Sequence, residues 1–481
     1  MSVKFYKQEH QVPLEMHKVR IVQKLFLPPV EKRVENINAA GNNTFLLQNK
    51  DVFMDMLTDS GVNAMSDLQQ AAMLQADDSY AGSETCNRLK RALEDVFGTK
   101  YFLPAHQGRA CENILAEAYV KPGYIVPMNF HFTTTKAHIT RVGGEVVELV
   151  KASGLEPQND NPFKGDFDMD ALRKLIDEKR ERIPFLRIET GTNLIGGQPI
   201  SMKNIKEVCE LCREKGIRTV IDASLMQDNL YFIKVREPEY KDVPLKDIMH
   251  ELADISDIIY FSARKLGFSR GGAIITKHEN IYREMMEFIP LYEGFLTYGG
   301  MEVRSMEAMA QGLYESLDME IISQGPLFIE YLVKELDDYG VPMIKPAGGL
   351  GAHVNASDFL PNLPHNVYPA GALAAALYIA GGIRGMERGT LSEQREEDGT
   401  ERYAELELLR LACPRRVFTL SQIKYCADRV KWLYDNRELI GGLEWVEEPS
   451  VLRFFFGRLK PIGDWQQRLA AKFREDFGES L

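Results

Sequence analysis

Apolar residues along the first two thirds of the chain fall into two alternating patterns. Compact, mainly apolar runs occur at Lys100 to Pro104, Tyr124 to Met128, Glu145 to Val150, Ile183 to Glu189, Arg218 to Asp222, Asp257 to Phe261 and Gly272 to Thr276. They read as buried strands. Before and between them lie stretches whose apolar residues return at helical spacing: Leu89 to Phe97, Ala110 to Val120, Met169 to Lys179 and Ile205 to Lys215. Strand and helix in alternation predict an α/β unit around a mostly parallel sheet. From Met301 a long helical stretch is predicted to reach Asp338, followed by a second, α+β section. Its candidate strands are Val341 to Lys345, His353 to Asn355, Glu405 to Cys413 and Arg453 to Phe456. Near the end, Trp465, Leu469, Phe473 and Phe477 recur every fourth residue and predict an amphipathic helix.

Composition narrows the partners. The net charge of −12 argues against a general nucleic-acid partner, and no apolar stretch approaches the length of a membrane helix. The N-terminal stretch from Met1 to Pro29 carries Glu9 and Glu15 and lacks a signal-peptide core, so a cytoplasmic protein is expected. Six cysteines in 481 residues point to reduced thiols. Cys209 and Cys212 sit in a helical pattern without a second pair, which favours a buried helix face over zinc. The glycines around Leu350 lack the following helix that a dinucleotide site needs.

Two strands end on charged side chains. Asp222 closes one apolar run, and Lys265 follows the next, in Tyr260-Phe261-Ser262-Ala263-Arg264-Lys265. Ligands of open α/β sheets lie at such carboxyl ends. Two readings stand: a buried ion pair, or a pyridoxal phosphate site in which the lysine forms a Schiff base and the acid keeps the ring nitrogen protonated. The loop Gln107-Gly108-Arg109, between a strand and a helix, offers free N–H groups and a guanidinium to a phosphate.

Phosphate loop, ring acid and lysine occur in the chain order of fold-type I pyridoxal phosphate enzymes. The sequence resembles the tryptophanase and tyrosine phenol-lyase family of β-eliminating lyases over nearly its whole length. The resemblance rests on stretches such as Asn43-Thr44-Phe45-Leu46-Leu47, Tyr80-Ala81-Gly82-Ser83-Glu84, His106-Gln107-Gly108-Arg109, Phe132-Thr133-Thr134-Thr135, Gly196-Gly197-Gln198-Pro199, Met386-Glu387-Arg388-Gly389 and Pro414-Arg415-Arg416-Val417. It implies a large domain with a mostly parallel seven-stranded sheet plus a smaller α+β domain. The expected boundaries are 1–60 for an N-terminal arm and part of the small domain, 61–315 for the large cofactor-binding domain, 316–458 for the small domain and 459–481 for a C-terminal helical extension. It also implies a homotetramer, a dimer of dimers, acting on a small amino acid.

Site roles follow residue by residue from the same resemblance. Lys265 would hold the cofactor and remove the Cα proton, with Asp222 at the ring nitrogen. Gln107, Gly108, Arg109 and Ser262 would meet the phosphate, Asn193 the ring oxygen, and Phe132 the ring face. Tyr80 would protonate the leaving group, and Arg410 would clamp the substrate carboxylate. Arg388, in Met386-Glu387-Arg388-Gly389, is similar to the phenol-lyase branch, and with Thr133 would stabilise a phenolic oxygen. An ion pair of Arg388 with Glu387 or Glu393 is the structural alternative. Phe45, Phe295, Phe454 and Phe455 would wall the aromatic group, and Gly61 and Asp78 would help hold a monovalent cation.

Several positions depart from the family pattern. Leu225 replaces an arginine that follows the ring acid. The loop after Lys265 is one residue shorter, and Asp78 stands where a glutamate is usual, which puts potassium in question and offers Arg270 as a substitute charge. Phe295 replaces a methionine. The expected reaction is β-elimination of tyrosine or a ring-substituted tyrosine to phenol, pyruvate and ammonia. The alternatives are the same cofactor chemistry on another amino acid, including β-replacement, and a catalytically reduced homologue.

Overall fold

The computed structural model describes residue 6 and residues 12–396 and 398–481; Glu9 lies outside the described residues. The chain divides into two compact units. The first comprises Asp59–Glu156 and Asn161–Ser323, and the second the segment up to Thr58, Pro157–Asp160 and Gln324–Leu481.

The first unit is built on seven strands: β1 (Tyr101–Ala105), β2 (Ile125–Met128), β3 (Glu145–Glu148), β4 (Phe185–Glu189), β5 (Arg218–Asp222), β6 (Ile258–Ser262) and β7 (Gly272–Thr276). Their order across the sheet is β1-β7-β6-β5-β4-β2-β3. Strand β7 runs antiparallel to both neighbours, and the other pairings are parallel. The reversal follows from connection length: the loop from Ser262 to Gly272 is too short for a helical crossover, so β6 and β7 pair as a hairpin. Lys265 lies in that hairpin loop.

Both faces of the sheet are covered, which explains the near-continuous apolar runs. One face sets Leu186, Ile188, Ile221, Ile259 and Ile275 against the helices that carry Leu89, Val208 and Leu252. The other sets Val126, Phe185, Val220 and Ile258 against Ala110, Cys111 and Ile114 of helix α1 (Gly108–Tyr119). Cys209 and Cys212 are buried on the inner face of Met202–Glu214, and burial pushes the Cys209 thiol up to about 12.

The second unit holds a three-stranded antiparallel sheet made of β8 (Gly351–Asn355), β9 (Met386–Arg388) and β10 (Leu408–Ala412), in the order β9-β10-β8. Helix α2 (Pro369–Gly381) is buried along its whole length and forms the centre of this unit's core. Helix α3 (Trp465–Phe477) packs on it and on Val30–Ala39 through Trp465, Leu469 and Phe473, each fully buried. The C-terminal segment is therefore part of this core.

Three sequence expectations are corrected. The helical stretch from Met301 to Asp338 is three helices, Val303–Glu315, Met319–Ile322 and Gln324–Asp338, because the Asp318 side chain accepts from Glu320 N and caps a new start. Val341 to Lys345 makes isolated bridges at Met343 and Lys345 and no strand. Arg453 to Phe456 is one helical turn: Leu452 takes φ 49°, and the buried Arg453 guanidinium reaches the carbonyls of Glu393 and Thr390. These tertiary bonds override an apolar run that resembles a strand.

Replacing Phe473 by alanine removes a ring that contacts Trp432 at 5.8 Å and lies under the Arg33 guanidinium. Phe473→Ala is expected to cost about 3–5 kcal/mol, read as a lower urea midpoint by circular dichroism. A loss below about 1 kcal/mol would show that α3 is not part of the core.

Candidate active site

In the first unit, strand ends and a helix start converge. Helix α1 begins at Gly108 with no side chain capping it from Gln107, so its first N–H groups remain available to an anion. The approach is close: a Cβ on Gly108 would lie 2.9 Å from Ser262 Cβ, and one on Gly272 would lie 2.9 Å from Gln107 C. Glycine at both positions lets β6, β7 and α1 pack backbone to backbone, which brings Gln107, Gly108 and Ser262 together. Arg109 stands exposed on the first turn of α1.

Asp222 ends β5 beside Tyr260 of β6 and Glu189 of β4 in the sheet register. Its Oδ1 accepts from Ser224 N at 2.9 Å, and the Ser224 hydroxyl accepts from Ser262 N at 3.0 Å, tying the acid to the phosphate side. The Lys265 amine lies 5.4 Å from the centroid of Phe132, the residue that precedes helix Thr133–Arg141. Thr133 Oγ1 is buried without a hydrogen-bond partner among the described residues. Asn193 is buried, and its N–H donates to Glu189 Oε1 at 3.3 Å. A glycine-lined helix start, a strand-end carboxylate, a lysine beside an aromatic ring and an orphaned hydroxyl fit the phosphate, ring nitrogen and aldehyde of pyridoxal phosphate.

Tyr80 is 68 % exposed and stacks on Phe295 at 5.1 Å, with Tyr298 edge-on at 5.7 Å. Leu225 is buried and packs against Gly191, where a Cβ would come within 3.0 Å of its own. Asp78 is exposed, whereas its neighbour Asp77 accepts from the N–H groups of Glu84 and Thr85. Gly61 faces the Arg264 guanidinium so closely that a Cβ there would meet Nη2 at 2.5 Å. Burial, then the charges of Arg270 and Arg109, depresses the pKa of Arg264. The Arg264 guanidinium thus stands where the resemblance puts a monovalent cation.

In the second unit, Met386, Arg410 and His353 stand side by side across β9, β10 and β8. Arg388 and Arg410 are buried, and Arg410 donates to Leu57 O at 2.6 Å. Burial, followed by the charge of Arg410, lowers the His353 pKa to about 3, so the imidazole is neutral. Phe45, Phe454 and Phe455 form one aromatic cluster, with centroids 5.5, 5.0 and 4.0 Å apart, and the Arg388 guanidinium carbon lies 5.9 Å from the Phe454 ring. Asn43 fixes this wall by donating to the carbonyls of Phe454 and Gly457, each at 2.9 Å. Of the acids weighed as partners of Arg388, Glu387 accepts from Gly389 N and Ser392, and Glu393 pairs with Arg402.

Sequence reasoning missed His353, and it missed Arg187, Tyr260 and Glu112 around Asp222. A histidine inside an otherwise apolar strand was the available signal for the first. For Arg187, the signal was a charged pair, with Glu189, inside a run fully buried on both faces.

The chain is similar to known proteins in sequence and in fold. The family described as β-eliminating lyase matches residues 55–429. The tyrosine phenol-lyase of Pasteurella multocida is 42% identical over 452 residues, covering 93% of this chain and 99% of its own. That of Lacrimispora saccharolytica is 43% identical over 451 residues, covering 93% and 96%. Among solved structures, the Sphingomonas wittichii serine palmitoyltransferase aligns with a TM-score of 0.56 at 12% identity, over 85% of this chain and 97% of its own. A Pyrococcus protein aligns with a TM-score of 0.59 at 14% identity, over 85% and 100%. These two share the fold.

Two outcomes follow from the charges described. With the Arg264 guanidinium against Gly61, turnover and cofactor affinity are expected to be equal in potassium and sodium buffers; severalfold activation by potassium would contradict it. Burial and the neighbouring Glu407 carboxylate push Glu387 from 4.5 up to about 7. A carboxyl that is harder to ionise in the folded state stabilises below its unfolded pKa and loses that contribution as pH rises through about 7. Stability is therefore expected to fall between pH 5 and pH 7.5, by up to about 3 kcal/mol. Glu387→Gln should flatten that slope in urea titrations, and an unchanged slope would exclude Glu387 as its source.

Proposed function

Because the chain belongs to the β-eliminating lyase family, we propose that it cleaves tyrosine, or a ring-substituted tyrosine, with water to phenol, pyruvate and ammonia. The observation that carries the aromatic leaving group is the buried Arg388 guanidinium beside Phe454, in the cluster with Phe45 and Phe455. A phenol leaving from Cβ needs a cation at its oxygen and an acid at its ring carbon, whereas an indole needs no cation.

Pyridoxal phosphate, when bound, supplies the aldehyde that the amino group joins and a ring that accepts the electrons of the Cα–H bond. Gln107, Gly108, Arg109 and Ser262 hold its phosphate, Asp222 its ring nitrogen, Asn193 its ring oxygen and Phe132 its face. The Lys265 amine takes the Cα proton. Arg410 binds the substrate carboxylate through a planar pair of donors, and the neutral His353 beside it adds no competing charge. Arg388 and Thr133 stabilise the phenolic oxygen while Tyr80 delivers a proton to the ring carbon. Phe295, stacked on Tyr80, fixes the direction of that acid.

A second reading, the same chemistry on a different amino acid, is favoured by Leu225: an apolar side chain packed on Gly191 stands where an arginine is expected. We further propose a cytoplasmic homotetramer. The free thiols of all six cysteines support the compartment, and the 68 % exposure of Tyr80 in one chain supports burial by a neighbour. Light scattering would read the assembly directly.

Incubation with pyridoxal phosphate and tyrosine, substituted tyrosines, tryptophan or cysteine, followed by pyruvate release, tests the substrate. Pyruvate from tryptophan and not from tyrosine would overturn the proposal. Arg388→Met is expected to lower tyrosine cleavage by about a hundredfold to a thousandfold. Pyruvate release from an S-alkylcysteine, whose thiolate leaves unaided, should change by less than about tenfold. Equal losses on both would assign Arg388 a purely structural role. Lys265→Ala should abolish the borohydride-trappable link to the cofactor, and persistence of the link would move the assignment to another lysine.

A further inference from the structure

Arg187 is 1 % exposed at the centre of β4, and its guanidinium is divided among three neighbours. Nη2 donates to Asp222 Oδ2 at 2.5 Å, Nε to the Tyr260 oxygen at 2.9 Å and Nη1 to Glu189 Oε2 at 3.2 Å. The Tyr260 hydroxyl in turn donates to the same Asp222 Oδ2 at 2.9 Å and lies 3.4 Å from Glu112 Oε1. Asp222 Oδ2 thus accepts two inward bonds, while Oδ1 accepts from Ser224 N.

We propose that Arg187 is the positioning residue of the ring acid: it fixes the rotamer of Asp222 and shares the carboxylate with the cofactor's ring nitrogen. The inference rests on the cofactor assignment made above and goes beyond it, since nothing in the reaction itself requires a buried cation behind the acid.

The surroundings bear on the charge. From β4 come Arg187 and Glu189, from β6 Tyr260, and from α1 Glu112 and the Cys111 thiol; Thr134 and Thr135 donate to Glu112 at 2.6 Å each. Burial raises the pKa values of Glu112 and Glu189 and opposes the charge on Arg187, but Tyr260, Glu189, Asp222 and Glu112 together keep the guanidinium protonated. A fixed positive charge in contact with Asp222 weakens the acid's hold on a second proton-bearing partner. The ring nitrogen therefore gives up its proton at a lower pH than it would beside an Asp222 that lacked the guanidinium. The chain that lacks an arginine at position 225 has one against the far side of the same carboxylate.

The test uses the full-length protein loaded with pyridoxal phosphate carrying 15N at the ring nitrogen. The 15N shift is followed against pH in the unmodified protein, in Arg187→Met, and in Arg187→Lys, which keeps the charge but lacks the rigid planar fork of a guanidinium. The double variant Arg187→Met with Glu189→Gln removes one charge of each sign and guards against loss of folding in the single variant. In Arg187→Met the deprotonation midpoint should rise by about one pH unit or more, with Arg187→Lys in between and the double variant shifting in the same direction. A lower melting temperature with an unchanged 15N titration in all three variants would overturn the inference and leave Arg187 a structural ion pair. If the unmodified protein shows no borohydride-trappable link at Lys265, the cofactor assignment fails first and the inference falls with it.

Discussion

A carboxylate at the end of a central strand, covered on both faces of its sheet, has to find its partners inside the protein, because water does not reach it freely. Asp222 meets that condition through Ser224 N, the Tyr260 hydroxyl and the Arg187 guanidinium. Each of those partners is committed further: Ser224 to Ser262 N, Tyr260 toward Glu112, Arg187 to Glu189. The strands are thereby held in register by side chains as well as by the backbone ladder, and the lysine hairpin is held against the helix start that offers its N–H groups to a phosphate. Disturbing one charge in the group leaves another buried and unbalanced, which is why the set behaves as a unit.

Much of this arrangement was legible in the chain. Runs such as Arg218 to Asp222 and Gly272 to Thr276 declared themselves because parallel, doubly covered strands cannot tolerate the alternation of a half-exposed sheet. Asp222 and Lys265 stood out as charges placed where such strands end. Arg187 did not, because its significance depends on Tyr260 and Asp222, which approach it only through strand order. Sequence spacing carries no record that β4, β5 and β6 are adjacent. The same limit explains Arg453 to Phe456, where buried bonds from one guanidinium outweigh the strand-like run around it, and the break after Glu315, where a single aspartate cap restarts a helix.

The second unit shows how an apolar wall and cations can share a small space. Phe45, Phe454 and Phe455 meet edge-on or tilted, so the electron-rich face of Phe454 is open toward the Arg388 guanidinium. Asn43 holds two carbonyls of the wall. His353 takes its neutral state from burial and from Arg410, and a neutral imidazole between guanidiniums leaves their field to act on an incoming carboxylate or phenolic oxygen.

The departures from the family pattern acquire a common physical sense when charge is followed from place to place. An arginine is absent at position 225, where Leu225 fills the space against Gly191; a guanidinium stands instead behind the ring acid, contributed by β4. At Gly61 the Arg264 guanidinium stands where a mobile cation is expected. In both places a charge is supplied by a covalently attached side chain. A fixed guanidinium is always protonated and does not exchange with the medium, so its charge at the site is independent of the concentration of a free ion.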